Sequence, residues 1–119
     1  MIKSSKKFWN YLQSLVDNSE IVIDRPKGSK HPRFPQAPSY PLDYGFLDGT
    51  HAVDGAGVDC FVGSLNSKIV TGVLCTVDAM KKDCELKVLI GCTSDEMSVA
   101  YNHLNSPDFF ADCLVVRED

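Results

Sequence analysis

The sequence lacks the features that mark a membrane protein or a disulfide-rich secreted domain. No segment approaches the roughly 18 consecutive apolar residues of a membrane-spanning helix. The N-terminal stretch MIKSSKKFWNYLQSLVD has no sustained apolar core and no small-residue cleavage site, so we expect no secretory signal. The five cysteines include no CxxC pair, which argues against a zinc site and against a disulfide framework.

The cysteines are odd in number and widely spaced along the chain. Four of them lie among apolar neighbours, so we expect these four to be small buried hydrophobic residues. The set is Cys60, Cys75, Cys84, Cys92 and Cys113. Free thiols of this kind predict a reducing, cytoplasmic location.

The chain also lacks an excess of positive charge. Its formal net charge of −4 argues against a nonspecific nucleic-acid binder. An OB-type module for single-stranded nucleic acid would need basic residues along an aromatic face, and this alternative is the least favoured. Residues 25–33 nevertheless carry four Lys or Arg side chains, with His31 as a fifth possible cation, and no acid. Acids cluster later, in 43–59 and 78–83, and this separation favours a small anion together with a metal ion.

With 119 residues, the chain predicts a single domain, residues 1–119. Helical spacing of apolar residues predicts a helix over 5–17, and Thr93 with Glu96 predicts a capping box for a second helix. The segment 25–41 contains five prolines and is expected to be a loop. Short β-branched or apolar segments predict strands at 21–24, 44–47, 58–62, 68–77 and 84–90, and a final strand after residue 108. We therefore expect an N-terminal helix (1–19), a barrel core (20–92) and a C-terminal helix and strand (93–119).

Two pairs of aspartates each bridge a short turn. Asp54 and Asp59 flank Gly-Ala-Gly, and Asp78 and Asp83 enclose the DAMKKD connection. Carboxylate oxygens are the ligands that Mg²⁺ prefers, so four of them at one rim could hold this ion. Aspartate is also a common turn former that accepts hydrogen bonds from its own turn, and for either pair alone this second interpretation is the more common one.

The spacing of several motifs resembles the family I soluble inorganic pyrophosphatases. YPLDYGFL (40–47) resembles that family's Tyr-Pro-x-Asn-Tyr-Gly segment, and DGAGVD (54–59) resembles its Asp-Gly-Asp-Pro-x-Asp segment. GVLCTVDAMKKD (72–83) resembles the next element, in which Gly-Val-Leu leads to two aspartates five residues apart. The likeness extends over residues 20–92, with the motifs in the family's order.

This resemblance implies a small, mainly β, OB-like five-stranded antiparallel barrel with peripheral helices (α+β). It further implies Mg²⁺ bound by Asp54, Asp59, Asp78 and Asp83, and catalytic roles for Asp54, Asp59 and Tyr44. Metal ions in such sites activate a water and neutralise the charge of the leaving phosphate. Phosphate binding is assigned to Arg33 and Tyr44, with Lys30 or Lys27 in the role of the family's early lysine.

The match is incomplete at residues that carry chemistry. Ala56 stands where the family has the middle aspartate, a metal ligand that orients or deprotonates the attacking water. Glu85 stands where the family has a lysine, although Lys87 would point to the same face of the strand. The family's early hairpin is shortened, and its later Tyr-Lys segment and long C-terminal helix have no counterpart in these residues.

The sequence thus predicts a divergent Mg²⁺-dependent inorganic pyrophosphatase-like hydrolase that converts diphosphate to two phosphates. The alternative is a catalytically weakened or inactive metal- and phosphate-binding regulatory protein on the same fold. The expected partners are pyrophosphate and further copies of the chain in a homo-oligomer, with neither nucleic acid nor membrane.

Overall fold

A computed structural model describes residues 3–118 as two helices and six strands. Their order confirms the predicted succession of helix, five strands, helix and final strand, with element ends displaced by no more than one or two residues. The elements are α1 (Lys6–Asp17), β1 (Glu20–Arg25), β2 (Asp43–Asp48), β3 (Val58–Val62), β4 (Val70–Asp78), β5 (Asp83–Ile90), α2 (Ser94–Leu104) and β6 (Phe110–Val116). Neither helix is long and apolar enough to cross a membrane, within the residues that the structure describes.

All six strands form one sheet in the order β1-β2-β3-β5-β4-β6. β3 and β5 pair in parallel, and the other neighbours pair antiparallel. The mainly β fold with peripheral helices is confirmed, but the sheet is not the closed five-stranded barrel that the resemblance implied. The β4–β5 hairpin places β5 beside β3, and β6 then pairs along the other side of β4, which leaves β1 and β6 as edges.

Each helix covers one face of the sheet. Side chains alternate between the two faces along a strand, so one strand can contribute to both cores. The α1 core contains Trp9, Leu12 and Val16 of the helix, packed with strand residues Leu47, Cys60, Val70, Val73, Val88 and Ile90. The α2 core contains Met97 and Ala100 of the helix, packed with Tyr40, Leu42, Tyr44, Phe61, Leu74, Leu89 and Cys92.

α1 begins one residue after the predicted start, and α2 begins directly after the predicted capping residue Thr93. The Ser5 hydroxyl accepts from the Phe8 N–H at 3.1 Å, which caps α1. At α2 the Glu96 N–H donates to the Thr93 hydroxyl, and the Thr93 N–H donates back to the Glu96 carboxylate at 2.8 Å. This reciprocal pair satisfies two backbone donors that the first helical turn leaves without partners, and it confirms the capping box.

The proline-rich loop between β1 and β2 is pinned to the sheet at its ends. The Gly28 N–H donates to the Tyr40 carbonyl at 2.8 Å, and the Tyr40 N–H donates to the Ser29 carbonyl at 2.9 Å. Close approach of β1 and β2 depends on Gly45, because a Cβ at this position would lie 1.8 Å from the Val22 carbonyl oxygen. The glycine of the YPLDYG segment therefore has a steric role, and it lets the strand that carries Tyr44 lie against β1.

The expectation of four buried cysteines is wrong. Cys60 and Cys92 are buried, whereas Cys75, Cys84 and Cys113 are exposed. The reason is that α1 covers only part of its face of the sheet. The part that it leaves open forms a groove of about 650 Å³, whose walls include the three exposed thiols.

Candidate functional site

Charged and phenolic side chains gather at one end of the α2-facing side of the sheet. We call this group the polar cluster and define it as Arg25, Tyr40, Tyr44, Asp59, Glu85 and Lys87. Register explains why they meet. Tyr44 pairs with Phe61 across β2 and β3, and Cys60 pairs with Val88 across β3 and β5, so Asp59 and Lys87 are neighbours.

Lys87 lies at the centre of the polar cluster and is only 5% exposed. Its Nζ donates to Tyr44 Oη at 3.0 Å, to Asp59 Oδ2 at 3.0 Å and to Glu85 Oε2 at 2.8 Å. An ammonium has three N–H donors, so these three oxygens can use them all. Burial lowers the pKa of Lys87, but Tyr44, Asp59 and Glu85 together outweigh burial and raise the pKa above its usual value.

Tyr44 connects the core to the carboxylate of β3. Its hydroxyl donates to Asp59 Oδ2 at 2.6 Å, and its ring packs edge-on against Phe61 with centroids 4.8 Å apart. Burial is the main cause that raises the pKa of Tyr44 far above that of an exposed phenol. The phenol therefore stays neutral and keeps its proton for Asp59.

Arg25 supplies the second cation of the polar cluster. Its guanidinium donates to Tyr40 Oη at 2.6 Å and lies 5.6 Å from the ring centroids of both Tyr40 and Tyr44. Burial lowers the pKa of Arg25, but the hydrogen bond from Arg25 to Tyr40 contributes to a net rise. The hydrogen bond and the two nearby aromatic rings restrict where the guanidinium can lie.

Of the predicted catalytic residues, the structure brings Tyr44 and Asp59 together. Asp54 is exposed in the preceding loop, where its Oδ1 accepts from the Ala56 N–H at 3.0 Å. Asp78 Oδ1 accepts from the Met80 and Lys81 N–H groups, each at 3.0 Å, and so shapes the hairpin turn. Asp83 pairs with Asp78 in the register of that hairpin.

The predicted phosphate-binding cations lie in the loop and are exposed. Lys30 Nζ donates to the Ala37 carbonyl at 3.3 Å, and the Lys27 N–H donates to Asp43. Arg33 contributes to the positive charge around His31. Burial first, and then the charges of Arg25, Arg33 and Lys81, lower the pKa of His31. The arginine that contacts the tyrosines is Arg25, the last residue of β1, and not Arg33 of the loop.

Arg25 was not predicted as a site residue, and Lys87 was predicted only to share a strand face with Glu85. Arg25 begins the cationic run at the end of β1, and this position was the available signal. The expectation that Lys87 and Glu85 share one face of β5 is confirmed by their 2.8 Å contact. That Lys87 would reach across to β3 could not be read from β5 alone, since β3 and β5 become neighbours only through the chain's topology.

The described residues do not fit a Mg²⁺ site in this arrangement. Within residues 3–118, no three His, Cys, Asp or Glu side chains form a group that could hold a metal ion. Asp54 and Asp78 accept hydrogen bonds from their own turns, and Asp59 accepts from Tyr44 and Lys87. These contacts engage one oxygen of each aspartate, and the carboxylates of the described residues do not form the group of several oxygen ligands that Mg²⁺ needs.

Comparison with known proteins gives a fold and no sequence family. No protein-family model and no curated protein matches the chain. An inorganic phosphatase from Anaplasma phagocytophilum superposes with a TM-score of 0.56 at 20% identity, covering 81% of each chain. The inorganic pyrophosphatase of Helicobacter pylori gives 0.52 at 16% identity, covering 82% of this chain and 80% of the other. That of Coxiella burnetii gives 0.52 at 15% identity, covering 83% and 84%.

The chain has the inorganic pyrophosphatase fold. The resemblance that the motifs predicted is thereby confirmed for the architecture. Within this pyrophosphatase fold, the polar cluster lies on the α2-facing side of the sheet, while the open groove lies on the α1-facing side. The charged contacts, and not the concavity of the surface, therefore define the candidate site.

Proposed function

We propose that this protein binds pyrophosphate or a related phosphoanhydride at the polar cluster and hydrolyses it slowly to two phosphates. One observation supports this most strongly. In a chain with the pyrophosphatase fold, the cations Arg25 and Lys87 converge on the buried Tyr44 and the carboxylate of Asp59. A small polyanion matches a compact pair of cations better than an extended polymer would.

Arg25 is the residue that we assign to direct anion binding. A guanidinium carries five N–H donors in a planar fork, which suits two oxygens of one phosphoryl group. The hydrogen bond to Tyr40 and the nearby ring of Tyr44 restrict the orientation of this fork before the anion arrives. Lys87 contributes through its charge, since three oxygens already accept from its ammonium.

Asp59 is the residue that we assign to proton removal from the attacking water. Its side chain is 31% exposed, so water reaches it while Tyr44 and Lys87 hold its Oδ2. The same two contacts engage Asp59 Oδ2, so fewer lone pairs of the carboxylate remain to accept the proton of the attacking water. Ala56 offers no second carboxylate in this stretch, and loss of a general base typically costs about 10²–10⁴ in rate. Slow turnover follows from both features.

A binder without turnover is the second candidate function. The contact of Lys87 with Asp59 and the absence of an acid at Ala56 both favour it. Such a protein would retain the anion-binding cations and lose the base.

Three points stay predictions of the resemblance. They are Mg²⁺ dependence, Mg²⁺ ligation by Asp54, Asp59, Asp78 and Asp83, and phosphate contacts by Lys27, Lys30 and Arg33. Mg²⁺, when bound in such sites, lowers the pKa of a water and neutralises phosphate charge. A homo-oligomeric state and a cytoplasmic location likewise stay predictions.

The test measures phosphate release from pyrophosphate and, in parallel, pyrophosphate binding by calorimetry. Asp59→Asn should abolish the release and leave pyrophosphate binding detectable. Asp95→Asn, at an exposed position in the first turn of α2, is the matched control and should behave as wild type. Release that Asp59→Asn does not change would contradict the assignment of Asp59. Binding without any release would select the second candidate.

A further inference from the structure

We infer that the ammonium of Lys87 takes the place of a divalent cation at Asp59, so that Asp59 is not a Mg²⁺ ligand in this protein. This inference rests on the proposed function for the meaning of the site, but its geometry stands by itself. Lys87 Nζ lies within 3.0 Å of three oxygens that come from three different strands, β2, β3 and β5.

The position of Lys87 satisfies the charges that would otherwise attract a metal ion. Asp59 and Glu85 bring two negative charges, and Lys87 and Arg25 bring two positive charges within the same cluster. Two close carboxylates with no nearby cation repel each other, and either a bound divalent ion or a proton relieves that repulsion. Here that repulsion is relieved by a covalently attached cation.

The space between Asp59 Oδ2 and Glu85 Oε2 can hold the ammonium or a metal ion, but not both. An ion at about 2.0–2.1 Å from Asp59 Oδ2 and Glu85 Oε2 would overlap the space of the ammonium, which is bound to both of these oxygens. The side chain of Lys87 is buried and its ammonium contacts Tyr44. The ammonium therefore cannot move into solvent without leaving the space between Asp59 and Glu85 unfilled.

The remaining predicted ligands do not rebuild a metal site elsewhere among residues 3–118. Asp78 is buried, and its Oδ1 accepts two backbone N–H groups of its own turn. Asp54 is exposed and accepts from the Ala56 N–H. A cation supplied by the protein itself is present at all times, so anion binding through the polar cluster requires no free divalent ion.

The protein is titrated with Mg²⁺ in the absence of pyrophosphate. Calorimetry measures the heat of Mg²⁺ binding, and thermal unfolding measures the change in midpoint temperature that Mg²⁺ causes. Wild type and Asp59→Asn should give the same result, because Lys87 compensates the charge of Asp59 and fills the space between Asp59 and Glu85. Lys87→Met should gain Mg²⁺ binding that is at least about tenfold tighter than that of wild type, because it uncovers two carboxylates. Lys81→Met, an exposed lysine of the β4–β5 turn, is the matched control and should gain nothing.

Two results would overturn the inference. One is Mg²⁺ binding by wild type that Asp59→Asn removes, and the other is a folded Lys87→Met protein that gains no Mg²⁺ binding. If Lys87→Met does not fold, the comparison of wild type with Asp59→Asn alone decides whether Asp59 binds Mg²⁺. Since pyrophosphate is absent from these titrations, their result is independent of whether the proposed function holds.

Discussion

Two aspartate pairs with the same five-residue separation have different environments in this protein. In the hairpin, Asp78 is buried and accepts from two backbone N–H groups of the turn that it begins. On β3, Asp59 is partly exposed and accepts from a phenol and an ammonium on neighbouring strands. The first aspartate organises its own segment, and the second takes part in a contact among strands that are far apart in sequence.

The difference shows that spacing alone does not distinguish a turn aspartate from a site aspartate. What separates them is the nature of the donors: local backbone N–H groups in one case, and the side chains of a phenol and an ammonium in the other. Asp54 belongs with Asp78 by this criterion, since it accepts from the Ala56 N–H two residues on. The pair 54–59 is therefore divided between the two classes.

The largest expected effect concerns the cation that holds Asp59. Lys87→Met should lower the free energy of unfolding by about 2–4 kcal/mol, because it leaves Asp59 and Glu85 without their buried counterion. Urea unfolding at pH 7 measures the change, with Lys81→Met as control. A loss below that of the control would mean that the lysine contributes no net stability to the cluster.

Arg25→Ala should weaken pyrophosphate binding by roughly 10–100-fold, since a charge-assisted hydrogen bond contributes about 1.5–3 kcal/mol. Arg33→Ala removes the same charge from the exposed loop and should weaken binding by less than about threefold, because exposed charges are screened. Calorimetry on both variants makes the comparison. The opposite ranking would restore Arg33 as the anion-binding arginine.

Asp78→Ala should destabilise the protein by about 1–2 kcal/mol, because two turn N–H groups lose their acceptor. Asp54→Ala removes one acceptor at an exposed turn, and its cost should stay below about 0.5 kcal/mol. Thermal unfolding of the two variants checks this order. Equal costs would contradict the description of Asp78 as the buried organiser of its turn.

Asp112 of β6 has a third kind of environment. Among the described residues, neither the backbone N–H groups of a turn nor a cationic side chain donates to its carboxylate. Both of its carboxylate oxygens are buried without a hydrogen bond to another residue, among those the structure describes. Burial raises the pKa of Asp112 to about 6. The folded state therefore binds the proton more tightly than the unfolded state, and this group favours folding most below about pH 4.

That contribution to stability should fall as the pH rises from about 4 to 6 and stay constant above. Asp112→Asn has no carboxyl group at this position to titrate. The free energy of unfolding of the variant minus that of wild type should therefore rise from pH 4 to pH 6, by about 1 kcal/mol after allowance for partial solvent screening. Urea unfolding at pH 4 and pH 7 tests the sign. A relative stability that declines toward pH 7 would rule out the raised pKa.

Most of the fold could be predicted because its signals in the sequence are local. Helical spacing of apolar residues marks α1, Thr93 marks the start of α2, and the apolar and β-branched segments 58–62 and 84–90 mark two central strands. Closure of the sheet could not be predicted in the same way. It depends on which edge β6 selects, and β6 pairs with β4 rather than closing the sheet against β1.

The candidate site was predictable only in part, for a related reason. Tyr44 and Asp59 belong to the YPLDYG and DGAGVD segments, and β2 and β3 are adjacent both in sequence and in the sheet. Lys87 reaches the site from β5, which lies beside β3 only through the chain's topology. Arg25 lies on β1 next to β2, and its place at the head of the cationic loop did not by itself show that it would contact the tyrosines. Cys75 and Cys113 illustrate the same limit on the other face, where they pair in register on the parts of β4 and β6 that α1 leaves uncovered.

The most direct test of the central claim is a calorimetric titration of the full chain with pyrophosphate in the presence of EDTA. If Arg25 and Lys87 supply the charge that holds the anion, binding will be detected without any free divalent ion, and Arg25→Ala will weaken it at least about tenfold. No binding in EDTA, with binding restored by Mg²⁺, would contradict the claim that the protein carries its own cations for this site.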